Sequence, residues 1–289
     1  MFADLHIHSR YSDGTYTPEV LGELASRHDL SVVSLTDHDT VEGCAQTAQV
    51  CQARGIEFIP GAELTAELRG QEIHLLAYYV DTHYGPLLDA LAIYQTARQN
   101  RIREIVARLN QLGVPIAADT VFNLANCRSP GRPHVGRALV HSGHCLNLDE
   151  AFDLFLKKHR PAWVPKWRVS APASIQLIHD AGGLAVMAHP GLNHYDEAIP
   201  ELVAAGLDGL ECFHTRHTPD LTSHYLKLAR DHHLLVTGGS DCHGNSKGKP
   251  TIGTVRLPLS YVEPLRARRT QSLSGTVVAP TRVVQPLRS

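Results

Sequence analysis

Two strand-like segments that end in histidine and aspartate constrain the fold of this chain more than any other feature. The first covers residues 2–7 and includes His6, and His8 follows it directly. The second covers residues 31–36 and leads into Asp37-His38-Asp39. Side chains alternate along a strand, so His6 and His8 point to the same side. Imidazole and carboxylate together suit Zn²⁺, Mn²⁺ or Fe²⁺, and the two strand ends therefore predict a metal site.

One His-x-His pair in a chain with 19 histidines is more often incidental than functional, but here the pattern recurs. Further strands are expected over residues 57–60, 73–80, 184–188, 209–213 and 234–238, with helices between them. The alternation predicts an α/β fold of parallel strands with helices outside. About seven core strands result, which is close to a TIM-type barrel.

The alternation breaks where a long helical pattern covers residues 87–112, and shorter helical patterns follow it. We therefore predict a small helical insertion domain over residues 98–170. It divides the barrel into a first part, residues 1–97, and a second part, residues 171–257. Residues 258–289 are rich in proline and arginine and are expected to form a loosely packed C-terminal tail.

Candidate metal ligands stand at or near the predicted strand ends, where barrel enzymes carry their chemistry. They are His6, His8, Asp13, His38, Glu63, His74, His189, Asp241 and His243. Nine groups exceed the four to six ligands of one transition ion. The sequence therefore predicts two or three ions, with a carboxylate such as Glu63 between them.

Composition limits the partners and the location of the protein. The net charge of −2 argues against a general affinity for long nucleic acids and favours a small anionic substrate. Six cysteines without a C-x-x-C pair suggest reduced thiols. The chain begins with no secretory pattern and has no apolar run of membrane-spanning length. We expect a cytoplasmic enzyme that does not associate with a membrane and needs no obligate protein partner.

The motifs DLHIHSRYSDG, SLTDHDT, PGAELTA, IHLLAY, AVMAHPG and GGSDCHG resemble, in this order, those of the PHP (polymerase and histidinol phosphatase) family. GRPHVGRAL, AFDLFL and PAWVP narrow the resemblance to bacterial 3′,5′-nucleoside bisphosphate phosphatases and 5′-to-3′ exoribonucleases. The resemblance implies a distorted (β/α)₇ barrel with a trinuclear centre, often of Mn²⁺. It assigns His6, His8, Glu63 and Asp241 to the first ion, Glu63, His74 and His189 to the second, and Asp13, His38 and His243 to the third.

The predicted activity is removal of the 3′-phosphate from nucleoside 3′,5′-bisphosphates. A hydroxide between two ions, held by Glu63, His189 and Asp241, would be the nucleophile. The alternative is a 5′-to-3′ exoribonuclease acting on short 5′-phosphorylated RNA. Histidinol phosphate phosphatase, amidohydrolase and a non-catalytic metal-binding module are minor alternatives. Amidohydrolases commonly use a carboxylated lysine to bridge their two ions. This chain has no lysine before Lys157, so such a bridge is not available on the early strands.

Cations in the predicted insertion are candidates for binding a second phosphate. Arg132 and His134 flank a proline in the loop RSPGRPH and are expected to contact substrate. Arg98 and Arg101 share a helix face, and Arg103 is close to them. A solvated helix face explains each of these three arginines about as well as a substrate contact does.

Overall fold

One sheet organises the fold, and the computed structural model describes residues 1–167, 169–247 and 249–275 of the chain. The strands found there are β1 (Phe2–Ile7), β2 (Leu30–Leu35), β3 (Glu57–Leu68), β4 (Gln71–Tyr78), β5 (Leu184–Met187), β6 (Gly209–His214), β7 (Leu235–Gly239) and β8 (Leu257–Pro258). Their order is β7-β6-β5-β4-β3-β2-β1-β8. A parallel bridge between Ile7 and Cys242 joins β1 to the segment after β7. The sheet thus curls into a nearly closed barrel, which confirms the predicted TIM-like α/β fold.

Asp4 helps to close this barrel. Its buried carboxylate accepts a hydrogen bond from the backbone N–H of Ser240 at 2.8 Å, which ties β1 to the end of β7. Burial raises the pKa of Asp4 to about 6. The Tyr78 hydroxyl donates to the carbonyl of Leu5 at 2.9 Å and holds β4 to the centre of β1. These bonds place His6, two residues after Asp4, at the centre of the barrel.

The prediction that the core strands run parallel is wrong for β4. β3 and β4 form an antiparallel hairpin, and β4 is also antiparallel to β5. The turn is Arg69-Gly70, and both residues have positive φ angles, +50° and +81°. Such a turn joins two strands directly, without a crossover helix. The strand predicted at residues 57–60 therefore continues through Glu63 to Leu68.

Helices cover the outside of the barrel and build the insertion. They are α1 (Pro18–Arg27), α2 (Cys44–Gln52), α3 (Gly85–Gln111), α4 (Ala118–Ala125), α5 (Arg132–His141), α6 (Leu148–Ala151), α7 (Ala171–Asp180), α8 (Pro190–Asn193), α9 (Ile199–Ala204), α10 (Pro219–Asp231) and α11 (Val262–Gly275). Side chains of Thr17, Ser170 and Thr218 cap α1, α7 and α10, each ahead of a proline in the first turn. Among the described residues, no helix combines the length and the apolar character needed to span a membrane.

The helices between β4 and α7 have a hydrophobic cluster of their own. Buried members include Ile102 and Leu109 of α3, Val135 and Leu139 of α5, and Val164. α3 is one continuous helix, so it contributes its first half to the barrel and its second half to this cluster. The exact division at residues 97/98 and 170/171 stays a prediction.

The expectation of a loosely packed chain beyond Leu257 is wrong for the residues that follow directly. Leu257 pairs with Ala3 of β1. Val262 and Leu265 are completely buried in the same hydrophobic cluster as Ala3. Apolar side chains at positions 262 and 265 lie one helical turn apart and share a face, which explains the packing. The rest of the predicted tail, residues 276–289, lies outside the described residues.

Candidate metal centre

The predicted ligands converge around Glu63, which β3 carries into the barrel mouth and which is only 1% exposed. One carboxylate oxygen, Oε1, lies 2.7 Å from His74 Nδ1 and 3.0 Å from His189 Nε2. The other, Oε2, lies 3.0 Å from His38 Nδ1 and 3.2 Å from His8 Nε2. The two oxygens thus face two different groups of histidines, which is the arrangement expected of a bridging carboxylate.

His6, His8 and Asp241 form one corner of the centre. The Nε2 atoms of His6 and His8 are 3.1 Å apart. Asp241 Oδ1 lies 3.5 Å from the first and 3.2 Å from the second. Atoms that each bind one ion at about 2.1 Å come this close to one another. The corner therefore has the spacing of a set of metal ligands.

Glu211, which the sequence reasoning missed, fixes the orientation of His6. This completely buried carboxylate lies 3.0 Å from His6 Nδ1 and accepts the backbone N–H of His189 at 2.8 Å. With the Nδ1 proton directed at Glu211, the Nε2 lone pair of His6 faces the centre. Burial opposes ionisation of Glu211, but His6, together with His214 and His189, outweighs burial and lowers the pKa of this carboxyl. Glu211 lies in the middle of β6, and its place on a barrel strand was the available signal in the sequence.

Asp13, His38 and His243 form another corner. Asp13 Oδ1 lies 3.2 Å from His243 Nε2 and 3.8 Å from His38 Nε2. The loop that carries Asp13 is held by Asp37, whose carboxylate accepts the Ser9 N–H at 2.8 Å and the Ser9 hydroxyl at 2.5 Å. The segment that follows β2 therefore supplies a ligand candidate, His38, and, through Asp37, a support for the loop that carries Asp13.

The side chains of the centre shift each other's protonation strongly. Burial opposes ionisation of Glu63, but the surrounding histidines, His38 first, hold the pKa of this carboxyl well below its usual range. Burial likewise opposes protonation of His8, yet Asp241 and Glu63 raise its pKa to about 9. Burial lowers the pKa of His38 well below its usual value. Carboxylates and lone pairs this close together are stabilised by positive charge between them.

The donor set fits divalent transition ions. Several buried atoms of the centre have no well-aligned hydrogen-bond partner among the described residues, namely His8 Nδ1, His38 Nδ1, Glu63 Oε2 and His189 Nδ1. Groups of candidate ligand atoms also lie within 4.8 Å of one another, and their members are His6, His8 and Asp241; His8, Asp13, His38 and His243; and His38, Glu63 and His74. Nitrogen and carboxylate oxygen in this ratio suit Mn²⁺, Fe²⁺ or Zn²⁺.

Arg132 and His134 make contacts inside the insertion. Arg132 Nη1 donates to the carbonyl of Leu156 at 3.0 Å, and its guanidinium lies 5.8 Å from the centre of the Phe152 ring. His134 is 2% exposed, and its Nδ1 accepts the N–H of Gly131 at 3.0 Å. The structure thus gives both residues a packing role, and their contact with substrate stays a prediction.

Arg101 and Arg103 lie in different surroundings on α3. Arg101 is buried, donates from Nε to the carbonyl of Val164 at 2.9 Å, and lines a cavity beside the barrel mouth. Burial, together with Arg132 and Arg98 nearby, lowers its pKa to about 9. Arg103 is exposed and lies 5.0 Å from the centre of the Phe122 ring. The structure therefore brings Arg101, and not Arg103, toward the metal centre.

Two further cations stand beside the centre. Lys166 Nζ donates to Glu72 at 2.9 Å and lies 3.2 Å from His74 Nε2. Arg98 Nε donates to Asp39 at 2.6 Å. Both approach from the polypeptide between β4 and α7. Arg98 was noticed in the sequence as one of three helix arginines, whereas Lys166 had no local pattern to mark it.

Comparisons with known proteins agree with this geometry. The PHP domain family matches residues 4–85. The 5′-3′ exoribonuclease Rnm of Salmonella typhimurium is 32% identical, over 83% of this chain and 84% of its own length. The 3′,5′-nucleoside bisphosphate phosphatase of Chromobacterium violaceum is 31% identical, over 88% of this chain and 92% of its own. A crystal structure from Bifidobacterium adolescentis, assigned as a metal-dependent phosphoesterase, superposes with a TM-score of 0.85 at 33% identity, covering 92% of this chain and 96% of that one.

Proposed function

The chain belongs to the PHP family of metal-dependent phosphoesterases, and from this premise we propose that it removes the 3′-phosphate from nucleoside 3′,5′-bisphosphates. Adenosine 3′,5′-bisphosphate would yield AMP and phosphate. The observation that carries the proposal is the convergence of histidines on both oxygens of Glu63, with Lys166 in contact with His74 and Arg101 lining the same cavity as Lys166. Such a site can hold metal ions and offers cations for a second phosphate.

We infer three ion positions, most simply occupied by Mn²⁺. The inferred ligands are His6, His8, Glu63 and Asp241 for the first, Glu63, His74 and His189 for the second, and Asp13, His38 and His243 for the third. The proximity of His38 Nδ1 to Glu63 and of His38 Nε2 to Asp13 supports close neighbouring positions. Divalent ions bound there would activate water and neutralise charge on the phosphoryl group.

The chain's own residues would orient the reactants. We propose that Glu63, His189 and Asp241 flank the position of the attacking water. Glu211 keeps the Nε2 lone pair of His6 directed inward, and the same carboxylate holds the backbone of His189. His189 has a positive φ of +29°, so this hydrogen bond stabilises a conformation that costs energy on its own. One buried carboxylate would thus preorganise two sides of the centre.

Selection of a bisphosphate would depend on the cations that reach the centre from outside the barrel. The imidazole of His74 lies between Lys166 and Glu63, since it contacts Lys166 through Nε2 and Glu63 through Nδ1. Arg101 lines the adjoining cavity together with Lys166. Charge-assisted hydrogen bonds from these groups would hold the phosphate that is not cleaved.

A second candidate activity, 5′-to-3′ exonuclease action on short RNA, is favoured by a different cavity. This cavity of about 410 Å³ opens from Asp241 and His243 and is lined by Arg216 and Lys249. Arg216 also lines the next cavity, of about 750 Å³, together with Arg137 and Lys157. The basic side chains mark a path along which the phosphates of an oligonucleotide could lie.

A substrate comparison tests the proposal. Mn²⁺-loaded protein is incubated with adenosine 3′,5′-bisphosphate, with 3′-AMP and with 5′-phosphorylated tetraribonucleotides, and the products are separated by chromatography. We expect kcat/KM to be highest for the bisphosphate, with 5′-AMP as the nucleotide product. Formation of 3′-AMP from the bisphosphate would contradict the proposal. Faster release of mononucleotides from the oligomer would favour the second candidate activity.

A further inference from the structure

A cavity of about 670 Å³ lies between α3 and the segment 164–167. Three small side chains of α3, Ala92, Thr96 and Ala97, form one side of it, and Pro165 and Trp167 lie on the segment that forms the other. Ala92 and Thr96 are one helical turn apart and share a face. Because their side chains are short, the helix leaves an open slot in front of the indole. We call this cavity the Trp167 slot.

Trp167 is held in place from the barrel side. Its ring centroid lies 5.3 Å from that of Tyr94, with the planes tilted by 54°. Tyr94 is buried in the main hydrophobic cluster, and Trp167 packs against the same cluster. A half-buried indole that is supported on one side and lines a cavity presents a rigid aromatic wall at little cost in conformational entropy.

Arg101 sets the width of the slot and gives it charge. Its Nε donates to the carbonyl of Val164 at 2.9 Å, so α3 is tied to the segment that carries Trp167. Arg101 is only 7% exposed yet lines the slot, as does Lys166. Glu104 lines the slot too, so two cations face one carboxylate and the balance of charge favours an anionic ligand.

Lys166, which lines the slot, also contacts a candidate metal ligand. Lys166 Nζ lies 3.2 Å from His74 Nε2, while His74 Nδ1 lies 2.7 Å from Glu63. A narrower recess, lined by Arg98 and Asp39, shares Arg101, Lys166 and Trp167 with the slot. An occupant of the slot would therefore have one end at Arg101 and Lys166, the cation that contacts His74, and the other end against the indole.

We propose that the Trp167 slot binds the nucleobase of the substrate, stacked on Trp167, while the uncleaved phosphate faces Lys166 and Arg101. The inference rests on the proposed function and adds the site that recognises the nucleoside. Every nucleobase has a π face, so stacking on an aromatic ring tolerates different bases. The slot therefore gives affinity for nucleotides as a class, with similar turnover of adenine and uracil compounds.

Fluorescence of the two tryptophans allows a direct binding test. Trp163 lies beside His159 and does not line the slot. In the Trp163→Phe protein, Trp167 is the single tryptophan, and Trp167→Phe is the matched control in which only Trp163 remains. Titration of the Mn²⁺-loaded proteins with 5′-AMP should quench the fluorescence of Trp167 saturably and leave that of Trp163 unchanged. Ribose 5-phosphate, which lacks a base, should cause little quenching. Equal effects of the two ligands on Trp167 would overturn the inference.

Kinetics of Trp167 variants give an independent measurement. Trp167→Ala should raise KM for adenosine 3′,5′-bisphosphate about 10-fold to 100-fold, the range expected for the loss of one base–aromatic stack, with kcat changed by less than about threefold. Trp167→Phe should restore most of the affinity. Thermal melting checks that the variants are folded. An unchanged KM in folded Trp167→Ala would overturn the inference, as would a fall in kcat alone.

The two experiments separate this inference from the proposed function. If the wild-type protein does not cleave the bisphosphate but 5′-AMP still quenches Trp167, the nucleobase site stands and the proposed reaction fails. If the protein cleaves the bisphosphate but 5′-AMP does not quench Trp167, the reaction stands and the nucleobase site is wrong.

Discussion

Glu211 is the residue whose importance follows most directly from its contacts. It is completely buried, lies 3.0 Å from His6 Nδ1, and accepts the backbone N–H of His189 at 2.8 Å. A neutral amide in place of the Glu211 carboxylate would no longer fix which nitrogen of His6 carries the proton. The size of the side chain at position 211 would stay almost unchanged. Removal of a hydrogen-bond partner of a metal ligand typically lowers metal affinity or activity by about 10-fold to 100-fold.

The first prediction is that Glu211→Gln weakens Mn²⁺ binding by about 10-fold to 100-fold, because His6 no longer has a fixed lone pair. Isothermal titration of the folded protein with Mn²⁺ measures this change. Glu104→Gln, an exposed position on α3, is the control and should bind Mn²⁺ like the wild type. Equal affinities for Glu211→Gln and wild type would show that the carboxylate does not orient a ligand.

At this scale the sequence predicted the convergence of the nine side chains but not their supports. His6, His8, His38 and Glu63 were recognisable because strand ends meet at one end of a barrel. Glu211 and Lys166 came close to the centre through long-range folding, and their local sequence resembles that of other charged residues. Arg132, predicted to contact substrate, also packs within the insertion by donating to the carbonyl of Leu156, and its contact with substrate stays a prediction.

Helix α3 belongs to two hydrophobic clusters. Its first half packs on the barrel, and its second half packs on the cluster formed by the helices between β4 and α7. The helical period predicted its extent well, at residues 87–112 against Gly85–Gln111. The helical periodicity of α3 did not show which of its arginines lies toward the metal centre. That depended on the path of residues 164–167, which no local pattern specifies.

The second prediction compares two arginines of α3. Arg101→Ala should lower kcat/KM for adenosine 3′,5′-bisphosphate by about 10-fold to 100-fold, because one charge-assisted hydrogen bond contributes about 1.5–3 kcal/mol. Arg103→Ala should change it by less than about twofold, since Arg103 is exposed over Phe122. Steady-state kinetics with matched metal content measure both. Equal losses in the two variants would contradict the assignment of Arg101 to the substrate.

The first turn of α5 carries the third prediction, which concerns the pH dependence of stability. Burial, and the nearby Arg137, lower the pKa of His134 to about 4. The unfolded chain has a histidine pKa of about 6.5, so between these values the unfolded state binds more protons. The free energy of unfolding should therefore fall as the pH decreases from about 6.5 to about 4, and this contribution is constant above that range.

His134→Gln should flatten this dependence by up to about 1.4 kcal/mol per pH unit, the value for one proton. Urea unfolding at several pH values measures the slope. His141→Gln, at an exposed position of the same helix, should keep the wild-type slope. A slope in His134→Gln that matches the wild type would mean that His134 is not held neutral by burial.

On the scale of the whole molecule, the sheet and the metal centre depend on each other. Asp4 joins β1 to the end of β7, and the β3–β4 hairpin brings Glu63 and His74 together. The family and the barrel were predictable because the motifs occur in order at successive strand ends. The antiparallel β3–β4 hairpin was not predictable, because the alternation of strands and helices elsewhere in the chain indicates crossover helices between parallel strands. The packing of Val262 and Leu265 was hidden by weak periodicity in an arginine-rich segment.

The fourth prediction concerns metal content, which tests most directly whether the converging side chains form one centre. Elemental analysis of protein produced with excess Mn²⁺ should give two to three ions per chain. Glu63→Gln should bind fewer ions and lose activity in parallel, since one carboxylate faces both groups of histidines. A metal content near zero in wild-type protein that keeps full phosphatase activity in the presence of a chelator would contradict the existence of the centre.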